Sequence, residues 1–103
     1  MQRGEIRWYR FSAPDKKRPV LILTRNVGID VLGEVTVASI TSRIRGIHTE
    51  VPLSPEDGMP RDCVVNLDHI NTVSKGTLGG LLATLSPHRM GEIKTALLYA
   101  LGF

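Results

Sequence analysis

Short apolar runs separated by turn residues fill most of this sequence, and a helical stripe appears only near its end. Residues 5–11 alternate and carry Ile6, Trp8, Tyr9 and Phe11, which predicts a first strand. Ser12-Ala13-Pro14-Asp15 is a turn signal, and Lys16, Lys17 and Arg18 form a basic approach to a second strand at residues 20–24. Asn26-Val27-Gly28 breaks that run. Gly33 precedes a third, at residues 35–40, which ends in Thr41-Ser42-Arg43, and Arg43-Ile44-Arg45-Gly46 is a basic loop. Residues 49–53 predict a fourth strand, closed by Ser54-Pro55-Glu56-Asp57-Gly58. Residues 63–65 predict a fifth and residues 70–73 a short sixth, with a turn near Asp68 between them.

The end of the chain follows helical spacing instead. Ser86 suits an N-cap and Pro87 the first helical position. Met90, Ile93, Leu97 and Leu101 form an apolar stripe widened by Ala96, Leu98 and Ala100, and Gly102 stands where a left-handed cap belongs. Such a stripe predicts core or dimer packing. Many short strands followed by one helix imply an α+β fold with a mostly antiparallel, barrel-like sheet.

Composition narrows the class. At 103 residues the chain has room for one modest core, so residues 1–103 read as a single domain. A formal charge of +3 and a pI near 9.4 favour anionic partners. The single cysteine excludes an intrachain disulfide, and Cys63 reads as a small core residue in a reducing cytoplasm. No run approaches the roughly 18 apolar residues of a membrane helix, and charged residues interrupt the N-terminus where a signal peptide would be apolar. These features predict a cytoplasmic protein with no membrane contact.

Candidate chemistry lies at the tips of the second and third strands. If they pair, the Arg18 guanidinium and the Thr41 hydroxyl converge on one surface. A guanidinium fork binds two phosphate oxygens at once, so the pair suggests work on a phosphodiester. Taken alone, Arg18 also reads as a cation blunting a strand edge, and Thr41 as an ordinary strand residue.

Five blocks carry a resemblance. They are Gly4-Glu5-Ile6-Arg7-Trp8; Arg18-Pro19-Val20-Leu21-Ile22-Leu23 with Asn26; Val37-Ala38-Ser39-Ile40-Thr41-Ser42; the run from Asp62 to Lys75; and Leu85-Ser86-Pro87 with the helix closing on Leu101-Gly102. In this order, over nearly the whole chain, they resemble the MazF/PemK family of toxin endoribonucleases from type II toxin–antitoxin systems. The resemblance implies a small SH3-like barrel of CcdB/PemK type with a C-terminal helix. It implies a homodimer, and an antitoxin like MazE whose acidic, partly disordered tail blocks a basic groove. It also matches Arg18 to the family's catalytic arginine and Thr41 to its active-site threonine.

The implied reaction is metal-independent, sequence-specific cleavage of single-stranded RNA. The ribose 2′-hydroxyl attacks phosphorus and leaves a 2′,3′-cyclic phosphate and a 5′-hydroxyl end. Arg18 would stabilise charge on the non-bridging oxygens while Thr41 donates a hydrogen bond. A guanidinium is a reluctant acid and a threonine a poor base, so Glu50, Asp68 or a histidine stands as a candidate assistant. Lys17, Ser42, Arg43 and Arg45 are candidate RNA contacts, and His48, Thr49 and His69 candidate neighbours of the same face. Relatives that use an aspartate at the Asp68 position place an arginine two residues earlier, where this chain has Asn66. Arg7 replaces an aromatic or apolar residue of many relatives, and the loop at residues 12–17 is shorter than theirs.

The histidines, Cys63 and carboxylates lack metal-ligand spacing, and Gly79-Gly80 lacks the lysine of a phosphate loop. No cofactor is implied. Unpaired bases could stack on Trp8, Tyr9 or Phe11. Two other functions fit the fold: a gyrase-trapping toxin anchored through Leu101-Gly102-Phe103, and an RNA-binding barrel without catalysis.

Overall fold

The computed structural model describes residues 1–10 and 17–103. Six strands and one helix follow each other: β1 Glu5–Arg10, β2 Lys17–Ile22, β3 Glu34–Thr41, β4 Glu50–Leu53, β5 Cys63–Ser74, β6 Leu78–Thr84 and α1 Pro87–Leu101. The strands form one sheet in the order β4-β5-β3-β2-β1-β6, with every described pairing antiparallel. Its edges, β4 and β6, are not hydrogen-bonded to each other. This is the α+β architecture expected from the sequence. The turn at Ser12-Ala13-Pro14-Asp15 and the end of the first strand at Phe11 lie outside the described residues.

Strand alternation sorts side chains onto two cores. Leu21, Ala38, Ile40, Val65 and Leu67 join Ile93 and Ala96 of α1 in the larger one. Val20, Ile22, Val35, Val37 and Val73 pack with Ile29 on the opposite side. On β3 the odd positions 35 and 37 face one core and the even positions 38 and 40 the other, as a period of two requires.

Two strand expectations are corrected. The fifth and sixth predicted strands are one continuous β5, because what reads as a turn at Asp68 is a bulge. Ala38 pairs with Ile70 but Ser39 with Asn66, so three residues of β5, Leu67, Asp68 and His69, have no counterpart on β3. Leu67 uses the bulge to bury its side chain, while its N–H donates to Thr49 O at 2.8 Å. The last strand is β6, whose sequence Leu-Gly-Gly-Leu-Leu-Ala-Thr gives no strand alternation.

Helix α1 starts and stops as its sequence predicts. Ser86 Oγ accepts from the Arg89 N–H at 3.1 Å, and Gly102 adopts φ 80° while its N–H reaches Leu98 and Tyr99 carbonyls. The buried stripe is narrower than expected. Ile93 and Ala96 are buried and Met90, Leu97 and Ala100 pack partly, but Leu98 and Leu101 face outward. No helix among the described residues is long and apolar enough to cross a membrane.

Candidate active site

Strands β2 and β3 pair with Val20 opposite Ser39 and Leu21 opposite Ala38. Continuing that register outward sets Arg18 across from Thr41, at the two strand tips. Both line a cavity of about 390 Å³, with Lys17, Ser42, Trp8 and Arg61. The sheet places these groups because β1 lies beside β2 in turn: Trp8 pairs with Pro19, and Tyr9 with Arg18.

The two central side chains have donors to offer an anion. The backbone N–H of Arg43 donates to Thr41 Oγ1 at 3.1 Å, so the threonine oxygen is already an acceptor and its own proton is left to donate. Arg18 is exposed and its guanidinium makes no hydrogen bond or ion pair among the described residues. Its five donors are therefore available to a phosphate. Lys17 and Arg61 are exposed as well, giving the cavity three cationic side chains.

Another part of the lining comes from the segment Met59, Pro60 and Arg61, which is held by local chemistry. Ser54 caps the short 3-10 helix Pro55–Asp57 in a reciprocal box, its N–H donating to Asp57 Oδ2 at 2.9 Å. Gly58 then turns the chain at φ 95°, a conformation costly for other residues, with Ala83 Cβ only 3.1 Å from where its own Cβ would be. Arg89 of α1 grips Asp57 from the side, through Nε to Oδ1 at 3.0 Å. Cys63 borders the same cavity but is 5% exposed, and burial pushes its thiol up from the ordinary 9.0. That is the condition of an inert core thiol.

Thr49, Glu50 and Asp68 gather elsewhere, where β4 meets the β5 bulge. Thr49 Oγ1 donates to Asp68 Oδ2 at 2.6 Å, and the Asp68 N–H donates to Asn66 Oδ1 at 2.9 Å. Glu50, 8% exposed, accepts from the N–H groups of Arg45 and Gly46 through Oε1, both at 2.9 Å. None of the three lines the Arg18 cavity. His48 lies 5.5 Å from the Tyr99 ring, and His69 and His88 are exposed. Arg43 and Arg45 are exposed on the loop beyond Thr41, outside the cavity lining.

Of the candidates named from sequence, Lys17, Arg18, Thr41 and Ser42 converge. Arg61 was missed. Its only signal is a lone cation between Pro60 and Asp62, and nothing local tells that this loop folds back over the strand tips. No group of three His, Cys, Asp or Glu side chains suited to a metal occurs among the described residues.

Comparisons with known proteins identify the family. The family described as "PemK-like, MazF-like toxin of type II toxin-antitoxin system" matches residues 2–101. The chain is similar to probable endoribonuclease MazF2 of Mycobacterium tuberculosis, 40% identical over 93 residues that span 89% of each chain. It is 42% identical over 96 residues to probable endoribonuclease MazF5 of the same species, spanning 92% of this chain and 87% of the relative. A solved mycobacterial endoribonuclease in complex with its cognate antitoxin superposes with a TM-score of 0.89 at 31% identity, covering 100% of this chain and 96% of that one. With a family match over nearly its whole length and relatives of this similarity, the chain belongs to the PemK-like, MazF-like toxins of type II toxin–antitoxin systems.

Proposed function

We propose that this chain is a single-domain endoribonuclease toxin that cuts single-stranded RNA without a metal ion. Relatives named as endoribonucleases support the activity class. The observation that carries the mechanism is that Arg18 and Thr41, set across from one another when the β2–β3 register is continued, line one cationic cavity.

In the proposed step the 2′-oxygen forms a bond to phosphorus as the bond from phosphorus to the 5′-oxygen breaks. The 2′-hydroxyl proton is released and the departing oxygen gains one, leaving a 2′,3′-cyclic phosphate and a 5′-hydroxyl. Charge grows on the non-bridging oxygens, where the Arg18 fork and the Thr41 hydroxyl donate hydrogen bonds. Lys17, Ser42 and Arg61 hold the strand, and Trp8 offers a surface for an unpaired base. Because Glu50 and Asp68 are engaged outside the cavity, positioning and electrostatic stabilisation supply most of the rate.

The working form is a cytoplasmic homodimer inhibited by a cognate antitoxin. The exposed cations around the cavity suit an acidic antitoxin tail, and a similar solved toxin is bound to its own antitoxin. Purified protein incubated with long single-stranded RNA in EDTA, beside Arg18→Ala, tests the reading. Discrete cuts with the stated ends, absent from a folded Arg18→Ala variant, are expected. Intact RNA beside a folded wild-type protein would overturn it in favour of a gyrase-trapping or binding-only toxin.

A further inference from the structure

Beyond Trp8 lies a second cavity of about 470 Å³, bordered by Arg10, Lys17, Thr77, Gly79 and Gly80. Trp8 and Lys17 border this cavity and the one at Arg18 alike, so the two adjoin at these residues. We propose that this groove is a second nucleotide subsite, taking the base of a nucleotide next to the scissile phosphate against Trp8. The inference rests on the RNA-cleaving reading above.

The groove is built by a bulge. Arg7 pairs with Leu81 and Tyr9 with Leu78, so two glycines, Gly79 and Gly80, stand opposite Trp8 alone. Nothing lies within 4 Å of a Cβ placed on Gly80, and a Cβ on Gly79 would meet only Trp8 itself, at 3.5 Å and 3.7 Å. Missing side chains at both positions leave open a groove that Trp8 borders, with room for a flat ring. Arg7 fixes the bulge, donating from Nη1 to Gly79 O at 3.1 Å and from Nε to Glu5 Oε1 at 2.9 Å. Exposed Arg10 and Lys17 supply charge for the phosphates on either side. An aromatic face beside a cationic groove is how single strands are held without full base-edge readout.

Trp8 is the only tryptophan, so its emission reports on both cavities without a label. The probe is a short RNA centred on the cut mapped in the EDTA digest, with 2′-O-methyl at the cut so that it binds without reacting. Wild-type protein should bind it with quenching of Trp8. Gly80→Val, which fills the groove, should weaken binding by about tenfold and reduce the quenching, as loss of one stacked base predicts. Gly91→Ala, at an open glycine on α1, should bind as wild type. Should circular dichroism show Gly80→Val misfolded, Gly80→Ala serves, with an expected loss of about threefold. Binding by the folded groove variant within about twofold of wild type, with full quenching, would overturn the proposal. A digest with no cuts overturns the parent reading and this one together, whereas cuts with an insensitive Gly80 variant overturn this one alone.

Discussion

Arg89 Nε donates to Asp57 Oδ1 at 3.0 Å, tying the first turn of α1 to the 3-10 turn that leads into the Arg61 wall of the cavity. The same guanidinium reaches Asp57 Oδ2 at 3.3 Å and Glu92 Oε1 at 2.8 Å. A contact far from Arg18 in sequence thus fixes where one of the cavity's cations sits.

That pairing has a pH signature. Arg89 beside Asp57 holds the carboxyl below its ordinary 3.8, so the contribution is present above that value and lost as pH falls through the lower folded one. Arg89→Ala should cost about 1 kcal/mol at neutral pH, or roughly 4–8 °C in Tm. The gap to wild type should close in acid. Thermal melts across pH check this, and a gap that stays constant well below the ordinary carboxyl value would remove the ion pair as its cause.

Glu50 is a structural carboxylate on its geometry, because Oε1 already accepts two backbone N–H groups and Oε2 is buried with no hydrogen-bond partner among the described residues. Glu50→Ala strips two N–H groups of their acceptor and should lower stability by roughly 2 kcal/mol. Cleavage by the folded fraction should keep the wild-type pH profile. A profile that loses a limb in Glu50→Ala, with Tm unchanged, would instead make this residue a base in the reaction.

How much of this was legible depended on how local the signal was. The caps at Ser86 and Gly102 and the β-branched run of β3 announce themselves, since each acts within a few neighbouring residues. Strand β6 did not, because Gly79 and Gly80 weaken strand propensity and the pairing that rescues them comes from β1, more than 70 positions away. The bulge at Leu67-Asp68-His69 read as a turn for a related reason: polar residues interrupt the run, and the β3 pairings that carry the strand through lie on either side of it, at Asn66 and Ile70. Arg18 and Thr41 could be found from strand tips and family blocks. Arg61 could not, since its place depends on Gly58, Asp57 and Arg89 acting together.

Cys63 borders the cavity, yet its burial and raised pKa argue against a thiol in the chemistry. Cys63→Ala should retain cleavage within about threefold, the small loss reflecting a shaved cavity wall. Native protein should resist alkylation near neutral pH and react once unfolded. Rapid labelling of the folded protein together with inactivation of Cys63→Ala would reverse this assignment.

Arg61 and Arg18 face the same cavity but should fail in different ways. In the proposed reaction charge develops on the oxygens met by Arg18 and the Thr41 hydroxyl, whereas Arg61, on the separate segment after Gly58, is assigned a phosphate already charged in the ground state. Loss of such a contact removes binding that substrate and transition state share. Arg61→Ala should therefore raise KM by about 3–10-fold with kcat nearly unchanged, and should flatten the salt dependence of RNA binding by about 0.7 in log–log slope. The weakening should be similar for cleavable and scrambled sequences, because a phosphate contact carries no base information. Rates measured across substrate concentration and salt separate the cases. A fall in kcat of about a hundredfold at unchanged KM would move Arg61 into the transition-state contacts beside Arg18.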